Sequence, residues 1–308
     1  MKTLAIVVPC YNEEETIHPF LEACQAVEKQ IANQLAFNYY FVNDGSKDKT
    51  LEVLRQVSKQ FENVHYLSFS RNFGKEAGLL AGLEAAEGDY ITVMDADLQD
   101  PPELLIEMYA KIHEGYDVVG TRRADRKGES PIRSFFAKVF YWLINKVSDT
   151  EMVDGARDFR LMTRQVVDAI LELKEVNRFS KGLFSWVGFD MAYVSYENRE
   201  RVAGETSWSF WKLLNYSLDG FINFSEVPLK LATWAGTFSF LISLVGIFFV
   251  VIRKLTIGGS VAGWASLVSI ILFIGGIQLL ALGIIGNYIS KIFLETKKRP
   301  VYVIKEKG

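Results

Sequence analysis

Tyr-Ile-Thr-Val-Met-Asp-Ala-Asp-Leu-Gln-Asp-Pro-Pro, residues 90–102, opens as a run of β-formers and closes on acids and prolines. Tyr90–Met94 reads as a strand, and the stretch behind it, Pro102–His113, has the spacing of a helix. The same grammar repeats outward from this segment. Leu4–Val8, Tyr39–Val42, Val64–Phe69 and Asp117–Val119 are rich in β-branched and aromatic residues and read as strands. Glu14–Ile31, Asp48–Phe61 and Lys75–Ala86 carry helical periodicity and good helix formers. Strand and helix in alternation predict an α/β fold, a mostly parallel sheet with helices on its faces. Such sheets bind ligands at the carboxyl ends of their strands, so the residues following each strand are the candidates for chemistry.

In extended backbone, residues two apart face the same way. If extension persists beyond Met94, Asp95, Asp97 and Gln99 aim their oxygens at one site. Hard oxygen donors of this kind suit Mg²⁺ or Mn²⁺, which bind through one or two carboxylates plus substrate phosphates. Acidic pairs also cap helices, but Asp100, directly before the prolines, is placed to do that capping. The three histidines, His18, His65 and His113, are too scattered for a zinc site. The first strand runs into Pro9-Cys10-Tyr11-Asn12-Glu13-Glu14, where Tyr11 can stack on a base and an acid can accept hydrogen bonds from a nucleoside; the same residues also suit an ordinary helix start. The second ends in Asn43-Asp44-Gly45-Ser46, in which Asp44 fits either a ribose or a turn, and Gly45 permits the tight turn.

A net charge of -3 gives no electrostatic reason to expect a nucleic-acid partner. Cys10 and Cys24 make no disulfide framework and read as reduced, packed thiols. Lys2 is followed by only Leu4–Val8 before Pro9, too short for the apolar region of a signal peptide, so the first domain is expected to stay in the cytoplasm. Stretches 131–147 and 208–224 mix aromatics with basic residues and suit either a membrane interface or ordinary core packing. Leu231–Ile252 and Leu255–Ser290 contain no charge, and about 20 apolar residues suffice for a membrane span. Gly258, Gly259 and Gly263 break the second run, leaving Trp264–Ser290 as the second span of a hairpin. Lys291, Lys297, Lys298, Arg299, Lys305 and Lys307 follow it, against Arg253 and Lys254 in the connecting loop, which places both termini in the cytoplasm.

Four motifs then occur in order: Val-Val-Pro-Cys-Tyr-Asn-Glu-Glu from Val7, Val-Asn-Asp-Gly-Ser from Val42, Ser-Arg-Asn-Phe-Gly-Lys from Ser70 and Asp-Ala-Asp-Leu-Gln-Asp-Pro-Pro-Glu from Asp95. In these the chain resembles glycosyltransferase family 2, and within it the polyprenyl-phosphate branch that includes dolichol-phosphate mannose synthases and bactoprenol glucosyltransferases. The resemblance covers essentially the whole chain. It implies a Rossmann-like GT-A catalytic domain with interfacial helices over 1–228, a transmembrane hairpin over 229–294 and a basic cytoplasmic tail over 295–308.

The resemblance further implies Pro9, Tyr11, Glu13 and Asp44 around the nucleoside, Asp95 near ribose and metal, and Asp97 and Gln99 on the metal. Lys75 would lie close to the donor. Arg122, in Gly120-Thr121-Arg122, and Arg133 would meet phosphates of the acceptor. Asp158, in Asp154–Arg160, matches the position of the catalytic base, and Arg201–Trp208 matches a loop that closes over the pyrophosphate. Ser207 stands where the family often has lysine, which shifts phosphate neutralisation toward Arg201. The expected reaction is inverting transfer of a hexose, with glucose from UDP-glucose as the first choice, to undecaprenyl or another polyprenyl phosphate for cell-envelope glycosylation. Galactose, an N-acetylhexosamine or mannose are the alternatives. The expected location is the inner (plasma) membrane, and small residues such as Gly259 and Gly263 allow a homo-oligomer through the hairpin. A polysaccharide synthase would show Gln-x-x-Arg-Trp and more spans, and a dehydrogenase Gly-x-Gly-x-x-Gly after the first strand; the sequence has neither motif. A silent membrane scaffold would have no need of Asp95, Asp97 and Gln99.

Overall fold

The computed structural model describes residues 1–124, 142, 145, 146, 153, 155–197, 225, 227–256 and 263–308. It divides into two units, Met1–Gly220 with Arg299–Gly308, and Phe221–Lys298. In chain order the first unit contains β1 (Lys2–Cys10), α1 (Ile17–Ile31), β2 (Leu35–Asn43), α2 (Thr50–Gln60), β3 (Val64–Phe69), α3 (Lys75–Ala85), β4 (Tyr90–Val93) and α4 (Leu104–His113). It continues with β5 (Val118–Arg123), β6 (Ala156–Thr163), α5 (Arg164–Glu172), α6 (Ser180–Trp186) and β7 (Met191–Tyr196). The second unit supplies α7 (Val227–Thr256) and α8 (Trp264–Thr296), and β8 (Ile304–Lys307) returns to the first.

The eight strands form one sheet in the order β7-β5-β6-β4-β1-β2-β3-β8. Strands β4, β1, β2 and β3 are parallel neighbours. Alternate residues of β1 feed opposite faces. Leu4, Ile6 and Val8 pack with Phe20, Leu54 and Met108 from α1, α2 and α4. Ala5 and Val7 pack with Leu79, Val166 and Phe184 from α3, α5 and α6. With both faces covered, β1 must be apolar throughout, which is why it reads as an unbroken hydrophobic run. Helix α3 lies so close that a Cβ at Gly82 would stand 2.2 Å from Val7 Cγ1.

Sequential order reverses between β1 and β4, because β2 and β3 extend the sheet to one side of β1 and β4 lies on the other. Helices cannot cover the gap at such a switch point, and a crevice opens at the strand ends. Val7 pairs with Val93, and the Met94 amide donates to the Val7 carbonyl at 3.0 Å. Residues after Cys10 and after Val93 therefore emerge side by side.

Beyond residue 120 the structure contains what local patterning did not reveal. Strand β5 does not lie beside β4; β6 runs antiparallel between them, and β7 pairs parallel with β5. Residues 304–307, read from sequence as part of a basic tail, form β8 antiparallel to β3. Cys10 and Cys24 are buried and free, and burial pushes both thiols up in pKa.

In the second unit, Val227–Phe249 and Phe273–Thr296 are long and apolar enough to cross a membrane, and neither is buried within the protein. The Tyr288 hydroxyl donates to the Ser225 carbonyl at 2.6 Å. Of the two aromatic-basic stretches, 208–224 lies outside the described residues. So does 131–147 apart from helical positions 142, 145 and 146, where Trp142 is exposed beneath the Lys146 ammonium at 5.2 Å.

Candidate active site

The loops after β1 and β2 are stitched together before they present anything to solvent. Asn12, at φ 57, donates its amide to Ser46 Oγ at 2.9 Å, and its Oδ1 accepts from the Lys47 amide at 2.9 Å. The Glu13 amide donates to Thr50 Oγ1 at 2.9 Å, while the Thr16 hydroxyl donates to the Glu13 carboxylate at 2.9 Å. These bonds hold residues 11–16 outside the helix, so α1 starts at Ile17 rather than at Glu14. Tyr11 is left 39% exposed at the strand end, where its ring is available to stack. Pro9 sits one residue inside β1, paired with Val42.

Asp44 is buried, and its two oxygens accept the amides of Phe73 at 2.6 Å and Gly74 at 2.9 Å. Burial raises its pKa against the opposing pull of those amides. Of its two expected roles this carboxylate takes up the turn-forming one, in the turn ahead of α3 rather than in its own. Gly45 is needed beside it: at φ +64, a Cβ there would lie 2.4 Å from the Arg71 carbonyl carbon.

Lys75 follows that turn as the first residue of α3. Its ammonium lies 2.8 Å from Asp95 and 2.7 Å from Asp158, joining the end of β4 to β6 across the crevice. Burial works against the charge of both Lys75 and Asp158, but their mutual attraction outweighs it. Lys75 is held above its ordinary range. Asp158 is held far below the usual carboxylate range by Lys75 and, next, by Lys181 on α6. Asp158 is thus held as a carboxylate that anchors the Lys75 ammonium at 2.7 Å.

The extension expected after β4 does not persist. The chain turns at Ala96-Asp97, and Leu98 takes a positive φ of 55, so the two-residue alternation is lost. Asp95 stays half-exposed, Asp97 is 7% exposed with Oδ1 accepting the Gln99 amide at 3.2 Å, and Gln99 Oε1 accepts from Arg157 at 3.4 Å. Asp100 does not cap α4 either. It accepts Arg157 Nε at 3.2 Å and the Tyr196 hydroxyl, and no side chain caps α4. Burial, then Asp100, pushes Tyr196 up to about 12.

Asp95 and Asp97 nevertheless offer the hard oxygens a divalent cation requires. Among the described residues no three of His, Cys, Asp or Glu gather into a cation cage. A cation completed by donor phosphates needs only one or two protein carboxylates, so Asp95 and Asp97 fit it.

Arg122 stands exposed at the end of β5, in register with Ala156 of β6. Arg133 and Arg201 lie outside the described residues. Sequence reasoning missed the supporting cluster of Arg157, Asp100, Tyr196 and Arg160. Arg160 is buried, stacks its guanidinium 3.8 Å from the centre of the Phe184 ring, and donates to the carbonyls of Arg157 at 2.9 Å and Asp158 at 3.4 Å. The one available signal was the density of arginines around Asp158, which carry no partner in a linear reading.

Comparison with known proteins agrees with this architecture. A mannosyltransferase from Pyrobaculum calidifontis, solved with GDP-Man and Mn²⁺, shares the fold with a TM-score of 0.50 at 17% identity, over 72% of this chain and 63% of that one. CsbB of Bacillus subtilis (strain 168), named as a glycosyltransferase, is 46% identical over 98% of this chain and 91% of its own length. The SfII prophage-derived bactoprenol glucosyl transferase of Shigella flexneri is 41% identical over 98% and 97%. The profile described as Glycosyl transferase family 2 matches residues 5–171, which contain every one of the four ordered motifs and Asp158. The chain belongs to glycosyl transferase family 2, with a GT-A catalytic domain and two C-terminal helices of membrane-spanning length.

Proposed function

We propose that this glycosyltransferase moves a hexose, with inversion, from a nucleoside diphosphate sugar to the phosphate of a polyprenyl lipid at the cytoplasmic surface of the membrane. The observation that carries the reading is the Lys75 bridge between Asp95 and Asp158 at the sheet's switch point. It is joined in one chain to two helices of membrane-spanning length. The bactoprenol glucosyl transferases among its relatives support the lipid acceptor, and make glucose from UDP-glucose the first sugar to test.

The nucleoside fits the loops after β1 and β2, against Tyr11, with Pro9, Glu13 and the Asp44-held turn shaping the pocket. Asp95 and Asp97 would hold Mg²⁺ or Mn²⁺. When bound, that cation would neutralise charge on the departing diphosphate. Lys75 sits where the same charge develops, already fixed in orientation by Asp158. Preorganised charges of this kind cost no reorganisation during the reaction. Arg122 is offered for the acceptor phosphate, together with Arg133, and Arg201 for the pyrophosphate, since guanidinium meets phosphate bidentately. Displacement forms a bond from a lipid phosphate oxygen to the anomeric carbon as the bond to the diphosphate oxygen breaks.

A phosphate monoester has a second pKa of about 6 and is largely dianionic at neutral pH, so it needs little help from a base. This agrees with a depressed Asp158, whose part is to orient Lys75 rather than to take a proton.

Two crossings return the chain to the side it left, in keeping with β8 belonging to the same unit as β1. The lysines after the second span, set against Arg253 and Lys254 between the spans, support cytoplasmic placement. The decisive experiment incubates the full chain in vesicles with undecaprenyl phosphate, Mg²⁺ or Mn²⁺ and a panel of nucleotide sugars, reading lipid mass and anomeric configuration. A lipid-phosphate hexose of inverted configuration is expected. Release of free sugar alone, or retained configuration, overturns the reading.

A further inference from the structure

Residues 299–308 follow the last apolar helix, yet they are built into the catalytic sheet. The attachment is extensive. The Tyr66 amide donates to the Gly308 carbonyl at 2.7 Å and the Ser70 amide to the Val303 carbonyl at 3.0 Å. Arg55 grips Glu306 with two bonds of 2.7 and 2.5 Å, and the Tyr66 hydroxyl donates to the same carboxylate at 2.6 Å.

Tyr302, just before β8, bonds one end of α3 and is linked to the other through Phe69 and Phe73. Its ring stacks on Phe69 with centroids 5.0 Å apart and planes at 17°. Phe69 meets Phe73 edge-on at 5.7 Å, and Phe73 and Gly74 are the residues whose amides Asp44 holds immediately before Lys75. The Tyr302 hydroxyl donates to Glu84, in the last turn of the same helix. Val301 and Tyr302 pack against the buried cluster of Val42, Phe69, Ala77 and Ala81, the last two from the helix itself. One side chain from residues 299–308 therefore meets Phe69, which relays to Phe73 ahead of α3, packs on the cluster that includes Ala77 and Ala81, and bonds the end of α3.

We propose that Tyr302 is a positioning residue: the C-terminal segment braces α3 and so holds the Lys75 ammonium between Asp95 and Asp158. The inference rests on the reading of Lys75 as a cation of the donor site. Displacement of a catalytic group by about 1 Å costs on the order of 100-fold in rate, so partial loss of a brace has a measurable effect.

A double-mutant cycle tests it, because residues acting through one another give non-additive losses. Transfer is measured in vesicles for the wild type, Tyr302→Ala, Lys75→Ala and the double variant, resolving kcat from the acceptor KM. Tyr302→Ala is expected to lower kcat about tenfold with the acceptor KM unchanged, and Tyr302→Phe, which keeps the stack, to recover most of that loss. In the Lys75→Ala background the same tyrosine change is expected to cost less than about twofold. Equal losses in both backgrounds, or an unchanged kcat in Tyr302→Ala, overturn the proposal. Should Tyr302→Ala not fold, Tyr302→Leu, which keeps an apolar side chain but removes the ring stack on Phe69, goes through the same cycle, and additivity there overturns it equally. A wild type that transfers no sugar to lipid would instead defeat the reading of the function, and full activity in Lys75→Ala would defeat the role of Lys75.

Discussion

The catalytic unit and the apolar hairpin use the same side chains in opposite ways. In the first, Leu4, Ile6, Phe20 and Phe41 are 0% exposed. In the second, Phe240 is 61% exposed, Val245 70% and Leu279 72%. Polar groups follow the same division. In the catalytic unit they bond across the fold, as Lys75 does to Asp158 and Arg157 to Asp100. In α7 and α8 the threonine hydroxyls bond back to their own helix: Thr233 to the Leu229 carbonyl at 3.0 Å, Thr237 to Thr233 at 2.9 Å and Thr296 to Phe293 at 3.0 Å. A helix facing hydrocarbon must satisfy its polar groups within itself, whereas a domain in water spends them on specific tertiary contacts. One unit is specified by partners and the other by its solvent.

The sharpest break of this contrast is at Lys75. Lys75→Ala should lower kcat by about 100- to 1,000-fold, the usual cost of removing one preorganised charge donor, while leaving the protein in the membrane fraction. Retained activity in steady-state transfer would deny the catalytic unit its central contact. The converse change is Leu241→Asp, on a side chain 53% exposed. A charge at the centre of a span costs about 2.5–3.5 kcal/mol, so the expected result is loss of membrane insertion, read by flotation, with the catalytic unit still folded.

Glycines sharpen the comparison further. A Cβ at Gly82 meets Val7 at 2.2 Å, so Gly82→Ala should destabilise the catalytic unit by about 1–3 kcal/mol in denaturant unfolding. A Cβ at Gly246 meets nothing within 4 Å, so Gly246→Ala should leave both activity and stability in place. A change of oligomeric state in that variant would show that this face packs against a second copy.

The smallest effect concerns pH. Arg55 and then Tyr66 hold Glu306 down to about 2. A carboxylate lowered in the folded state contributes stability that is present above its unfolded value, about 4.3, and is lost as pH falls toward the folded value. Protection of the β8 amides in hydrogen exchange should therefore weaken between about pH 4 and pH 2, and Glu306→Gln should abolish that dependence.

The acid range separates two readings of Asp158 as well. Lys75 holds the Asp158 carboxyl below the usual carboxylate range, so loss of transfer below about pH 6 is expected to follow protonation of the acceptor phosphate instead. Asp158→Asn should lower kcat without moving that limb. A limb displaced by the substitution would restore Asp158 as the base.

Local pattern alone placed Val64–Phe69 as a strand without error, and set the start of α3 at Lys75 and the end of α4 at His113. Val64–Phe69 alternates buried Val64 and Tyr66 with half-buried His65 and Leu67, the two-residue period of a strand, and the helices beside it carry a regular period of their own. The four motifs were legible for a related reason: each lies at a strand end, and the sheet's switch point gathers strand ends. Composition likewise disclosed the two long helices, since uncharged runs of that length suit few other environments.

What only the tertiary structure decided was partnership. Nothing in the linear order says that β6 inserts antiparallel beside β4, that Asp44 holds the amides of Phe73 and Gly74, or that Asp100 binds Arg157 and Tyr196 instead of capping a helix. Residues 304–307 read as charged tail because their strand identity comes from the free edge of β3 rather than from their own side chains. Sequence determines which residues are apolar, acidic or periodic. Which of them meet depends on register between segments up to 251 residues apart, as for Arg55 and Glu306, and no local period encodes that.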